Sequence, residues 1–67
     1  MVYVVMTGER HEGGRIVSIH YIYDDAIKVA KSIEPVFPGG WIEKSSDTNY
    51  YAENGCDFVS VECFEVQ

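Results

Sequence analysis

This chain is poor in cysteine, poor in basic residues and lacks a long apolar run. Its 67 residues include two cysteines, Cys56 and Cys63. That excludes the multiply bridged frameworks by which small secreted domains compensate for a thin core. In one extended strand the two would stand roughly 23 Å apart at about 3.3 Å per residue. A bridge needs Cα atoms within about 7 Å, so free, partly buried thiols in a reducing cytoplasm are expected. No apolar stretch approaches the roughly 20 residues of a membrane helix. Met1 leads directly into a strand-like run with no basic region before it, so no secretory leader is expected. The Lys and Arg residues nowhere cluster into a surface for nucleic acid or membrane. The chain therefore reads as soluble and cytoplasmic.

What is present is an uneven charge. Residues 1–33 carry four acids and four bases, whereas residues 34–67 carry seven acids against one base, Lys44. The net charge of -6 thus lies in the second half. An acidic half repels nucleic acid and attracts a basic protein surface. Hydrophobic content of 46% and aromatic content of 13% argue for a folded chain rather than a disordered one. A chain this short buries only about 60% of its unfolded surface, so its core is marginal without tight packing or a second chain.

Val2 to Met6 is β-branched and aromatic and predicts a strand. Thr7 to Gly14 reads as a loop, and Arg15 to Tyr23 as a second strand forming a hairpin with the first. Alternation puts Val17, Ile19 and Tyr21 on one face and Ile16, Ser18, His20 and Ile22 on the other. Bulk on both faces predicts a central position in the sheet. Asp24 is the expected N-cap of a helix of about ten residues, whose apolar stripe is Ala26, Ile27, Ala30 and Ile33. Pro35 stops it near Glu34. Trp41 to Glu43 suggests a short third strand. Tyr50 to Ala52 pairs with Phe58 to Val66 through an Asn54-Gly55 turn of type I′. Val59, Val61 and Cys63 then share one face, and Phe58, Phe64 and Val66 the other.

The expected fold is α+β: an antiparallel sheet of four or five strands with one helix on one face, in the order β-β-α-β-β-β, as a single domain over residues 1–67. One helix leaves the opposite face short of cover. Its expected occupants include Ile16, His20, Phe58 and Phe64.

The first half, with Val2-Tyr3-Val4-Val5, Thr7-Gly8-Glu9, Arg15-Ile16-Val17-Ser18-Ile19 and the helical Ala26, Val29 and Ala30, resembles a small-domain family of unknown function common in phage and bacterial genomes. Val61-Glu62-Cys63-Phe64-Glu65 is similar to its closing strand. The resemblance covers residues 2–33 and roughly 58–66 and implies a phage origin. Residues 35–57 depart from the pattern as an insertion. The family brings no activity and no site residues with it.

Catalytic and metal motifs are weak. His11, His20, Cys56 and Cys63 lack the close pair spacing of structural zinc sites. Asp47-Thr48-Asn49 begins like a calcium loop, but Ala52 stands where that loop needs glycine. Cys56 or Cys63 with His20 is the one nucleophile–base option, without an elbow or helix start to activate the thiol. Gly13-Gly14 and Gly39-Gly40 are turn pairs rather than a phosphate loop. No enzyme activity, metal or cofactor is expected. The aromatics Phe37, Trp41, Tyr50 and Tyr51 serve core packing or a binding surface, Trp and Tyr being favoured as anchors. The expected partner-binding set is Trp41, Glu43, Asp47, Tyr50, Tyr51, Glu53, Asp57, Glu62 and Glu65.

These features predict a non-enzymatic protein-binding module, phage-encoded, that docks on a basic, nucleic-acid-handling host complex as an inhibitor of the anti-CRISPR or anti-restriction type. Its carboxylates would take the positions of phosphates. The alternative expectation is a self-associating structural or regulatory domain, a homodimer that buries the open sheet face.

Overall fold

A computed structural model of the chain describes residues 1–35, 39–45 and 49–65. The elements are β1 (Val2–Glu9), β2 (Gly13–His20), α1 (Tyr23–Ser32), β3 (Ile42–Glu43), β4 (Tyr50–Asn54) and β5 (Asp57–Phe64). The strands form one antiparallel sheet in the order β2-β1-β5-β4-β3, and α1 lies over β1, β2 and β5. The α+β architecture expected from the sequence is present, with five strands. Among the described residues no helix is long and apolar enough to cross a membrane.

The core follows from strand alternation. Val5, Val61 and Tyr50 lie in one cross-strand row, and Val59 and Ala52 in the next. Ala26 and Ala30 of α1, one turn apart, pack against them. Their small side chains let the helix approach the sheet closely. Tyr3, Ile27, Val29, Ile33 and Trp41 complete the margin.

The helix begins earlier than its acidic pair suggests. Ile22 is the N-cap and makes no side-chain capping bond, so Asp24 and Asp25 both fall in the first turn, where their charge complements the helix dipole. The Tyr23 ring meets Tyr3 edge-on at 5.4 Å, which ties the first turn to β1. Ile33 is already extended, two residues before Pro35.

Three strand expectations are corrected. The segment Thr7–Glu9 continues β1 instead of forming a loop. Gly8 sits opposite Gly14, and a Cβ at Gly8 would lie 2.6 Å from the Gly13 carbonyl oxygen and 2.7 Å from Gly14 Cα. Those glycines therefore serve a close strand approach as well as the turn. The strand β2 is an edge strand, whereas β1 of the same hairpin is paired on both sides. A bulge explains the misleading bulk on both faces: Val5 faces Ser18 while Met6 faces Ile16, so Val17 is the extra residue. Ile16 and Ile19 then share the helix-free side, and Ser18 and His20 the helix side, so His20 is not on the open face. Finally, Asn54 pairs with Asp57, leaving Gly55 and Cys56 as the turn residues. Gly55 alone has positive φ (60°), the pattern of a type II′ turn rather than type I′.

Candidate interaction surface

The helix-free face of the sheet is the feature that the fold leaves unfinished. Register assigns to it Ile16 and Ile19 of β2, Val2, Val4 and Met6 of β1, Phe58, Ser60, Glu62 and Phe64 of β5, Tyr51 and Glu53 of β4, and Ile42 of β3. Its two halves differ. Towards β2 it is apolar and open: Ile16 is 59% exposed, Ile19 58% and Phe64 48%, and Met1, which precedes Val2, is exposed as well. Val4 and Ser60 are buried on this face, each 6% exposed. Such a stripe on a chain this small is an interaction signal, because isolated exposed apolar residues are common and contiguous ones are not.

Around Phe58, Tyr51 and Glu53 the face is closed by its own contacts, whereas Ile42 on the β3 edge stays 62% exposed. Phe58 lies across the Gly8–Gly14 pair, where a Cβ on Gly14 would come within 2.5 Å of Phe58 Cζ. Tyr51 stacks on Phe58 with ring centroids 6.1 Å apart. Glu53 bonds to Lys44 at 3.1 Å and Arg10 at 3.4 Å. The Lys44 ammonium, then the Tyr51 hydroxyl and the Arg10 charge, hold the Glu53 carboxyl below its ordinary value of 4.5. Burial, with the neighbouring Glu53 carboxylate, pushes the Tyr51 phenol up.

A depressed carboxyl stabilises the fold above its unfolded pKa, and that contribution is lost as pH falls through the folded value. Glu53→Gln is therefore expected to lower stability at neutral pH. The gap to wild type should narrow as pH drops below 4.5. Urea titrations at neutral and acid pH check this, and a gap that stays constant contradicts it.

The residues expected to bind a partner are not gathered on one surface. Tyr50 is buried in the core, 6% exposed, with its phenol pushed up by burial and then by Glu43. Trp41 is half-buried and donates from Nε1 to the Ile33 carbonyl at 2.6 Å, anchoring the segment after α1. Asp57 is buried on the helix side, across from Glu9 and Asn54. Glu43 is exposed on that same side, opposite Ala52. Glu53 and Tyr51 share the helix-free face but are engaged with each other and with two cations. Glu62 lies on the apolar half opposite Val4, and Glu65 is exposed beyond the end of β5. Asp47 lies outside the described residues, as do Phe37 and Val66. The carboxylates thus point to different sides of the molecule.

The titratable pairs differ from those the sequence suggested. His20 Nε2 lies 2.7 Å from Ser18 Oγ, since residues two apart on a strand share a face. His11 Nε2, not His20, lies 3.4 Å from Cys56 Sγ. Cys63 Sγ contacts Met1 Sδ at 3.4 Å. Both cysteines are free and exposed rather than partly buried. Two depressions border the β1–β2 hairpin. The one beside Trp41 and Asp57 is about 220 Å³, below the roughly 300 Å³ of ordinary ligand sites. The wider one, about 340 Å³, is walled by Gly8, Gly13 and Gly14 with Glu9, Glu12 and Arg15. Neither is lined by Ser18, His20 or a cysteine.

The His11–Cys56 pair is 45 residues apart in sequence, and only the sheet order could have disclosed it. Alternation alone places Ile16, Phe58 and Phe64 on the helix-free face; it misses Ile19 because the bulge inverts the phase of β2. No family model matches this chain, and no curated protein and no solved structure matches it.

Proposed function

We propose that this chain is a non-enzymatic protein-binding module that self-associates through the helix-free face of its sheet. The observation that carries the reading is the exposed apolar stripe of Ile16, Ile19 and Phe64, continuous with Val2 and Met6, opposite the face that α1 covers. A second copy is a fitting occupant because the stripe includes one charged residue, Glu62. Two copies can meet there with few like charges opposed, despite a net charge of -6. In a two-fold interface each side chain acts twice.

Sedimentation over a range of concentrations tests the proposal. Wild type is expected to dimerise. Burying an isoleucine contributes about 1.5 kcal/mol or more, so Ile19→Ser, counted twice, is expected to weaken the dimer by about 100-fold. Its effect on monomer stability should stay within about 0.5 kcal/mol, as for other exposed sites. A wild-type chain that remains monomeric at high concentration overturns self-association.

A second reading draws on the acidic excess of residues 34–67. In it the chain is a phage-encoded inhibitor that docks the same apolar stripe on a basic host protein. Glu62 and Glu65, beside Phe64, would meet the cations. Capture of a basic complex that moderate salt releases, with Phe64→Ser abolishing capture, supports that reading.

A further inference from the structure

We propose that His11 and Cys56 form a two-donor clamp for a thiophilic divalent cation of the zinc class, separate from the sheet face used for association. His11 lies in the β1–β2 loop and Cys56 in the β4–β5 turn. The neighbouring positions of β1 and β5 bring those two loops to the same end of the sheet. The Arg10 backbone N–H donates to the Cys56 carbonyl at 2.8 Å, and Arg10 Nη2 donates to the Gly55 carbonyl at 2.7 Å. The backbones that carry the two donors are therefore bound to each other before any ion arrives.

The donor spacing fits the ion. Zinc takes sulfur at about 2.3 Å and imidazole nitrogen at about 2.05 Å, in tetrahedral geometry. At the ideal angle those bonds place sulfur and nitrogen about 3.6 Å apart. The observed 3.4 Å between Cys56 Sγ and His11 Nε2 corresponds to an angle of about 103° at the metal, close to the tetrahedral value. Both side chains are exposed, which leaves room for an ion to enter and for water to fill the other two positions. The charge environment suits a cation as well: Glu9 and Glu12 flank the His11 loop, Asp57 follows Cys56, and the nearby Arg10 is paired with Glu53. Among the described residues no group of three His, Cys, Asp or Glu converges, so the clamp is a pair and not a closed structural site. Binding converts the thiol to a metal thiolate and releases its proton to the buffer.

Cobalt(II), a spectroscopic stand-in for zinc, tests this on the reduced full chain. Titration is expected to produce a thiolate-to-cobalt charge-transfer band at one ion per chain, displaced by added zinc. Cys56→Ser should abolish the band and Cys63→Ser should leave it intact. Loss of an outer partner of a metal ligand already costs about 10–100-fold in affinity. His11→Ala is therefore expected to weaken binding tenfold or more while the circular dichroism stays that of wild type. A band that survives in Cys56→Ser overturns the clamp. Unchanged affinity in His11→Ala also overturns it, since a thiol acting alone would then suffice, and so does the absence of any band at millimolar cobalt.

Discussion

Tyr50→Ala is expected to cost about 3–5 kcal/mol, the range for removing a large aromatic ring from a packed core. Tyr50 is 6% exposed, lies in a cross-strand row with Val61 and Val5, and faces the helix that supplies Ala26 and Ala30. Neither alanine can extend to fill the space, because methyl groups have no further reach. A single core in so short a chain rarely supplies more than about 3–5 kcal/mol in total. The variant should therefore be largely unfolded at room temperature. Tyr50→Phe should keep the fold. A surface anchor would behave differently: its truncation would change stability by about 0.5 kcal/mol or less and leave the urea midpoint in place. Urea denaturation followed by circular dichroism distinguishes the two outcomes, and a cooperative wild-type-like transition for Tyr50→Ala would remove Tyr50 from the core.

Gly8→Ala carries the second large effect. The added methyl would stand 2.6 Å from the Gly13 carbonyl oxygen and 2.7 Å from Gly14 Cα, both backbone atoms of the paired strand. Side chains can rotate away from a new neighbour; a hydrogen-bonded strand moves only by giving up its register. Overpacking typically costs about 1–3 kcal/mol, and this site belongs at the upper end. For a domain of this size about 1 kcal/mol shifts the melting temperature by roughly 4–8 °C, so a drop of more than about 10 °C is expected. Gly13→Ala is the contrast within the same hairpin: nothing lies within 4 Å of its Cβ, and only its positive φ of 80° resists the change. Equal melting temperatures for Gly8→Ala and wild type would show that the two strands do not approach as closely as described.

Much of the layout was legible because it depends on local pattern. Valines interleaved with aromatic residues announce β1 and β5, and the spacing of Ala26, Ile27, Ala30 and Ile33 announces α1. Pro35 marks the helix end, and the count of one helix against several strands already implies an uncovered face. The errors arose where a distant residue overrides the local signal. Gly8 resembles turn punctuation until Gly14 is seen against it. A bulge of one residue reverses half of β2, which moves His20 to the helix side and brings Ile16 and Ile19 together. Asp24 resembles a cap, but contact between Tyr23 and Tyr3 starts the helix sooner.

The candidate site was less legible for the same reason. Acidic residues counted along the second half look like one surface because sequence distance ignores direction. Strand alternation sends Glu43 and Asp57 to one side and Glu53 and Glu62 to the other, while pairing with Lys44 and Arg10 occupies Glu53.

Composition and periodicity alone determine that this protein is an antiparallel sheet of four or five strands with one helix, a thin core and an acidic second half, since these follow from the chemistry of near neighbours. Strand order is decided only in three dimensions, where burial and hydrogen bonding between distant segments compete. It is that order which makes β2 an edge, leaves Ile16, Ile19 and Phe64 in water, takes Tyr50 and Trp41 inward, and sets His11 against Cys56.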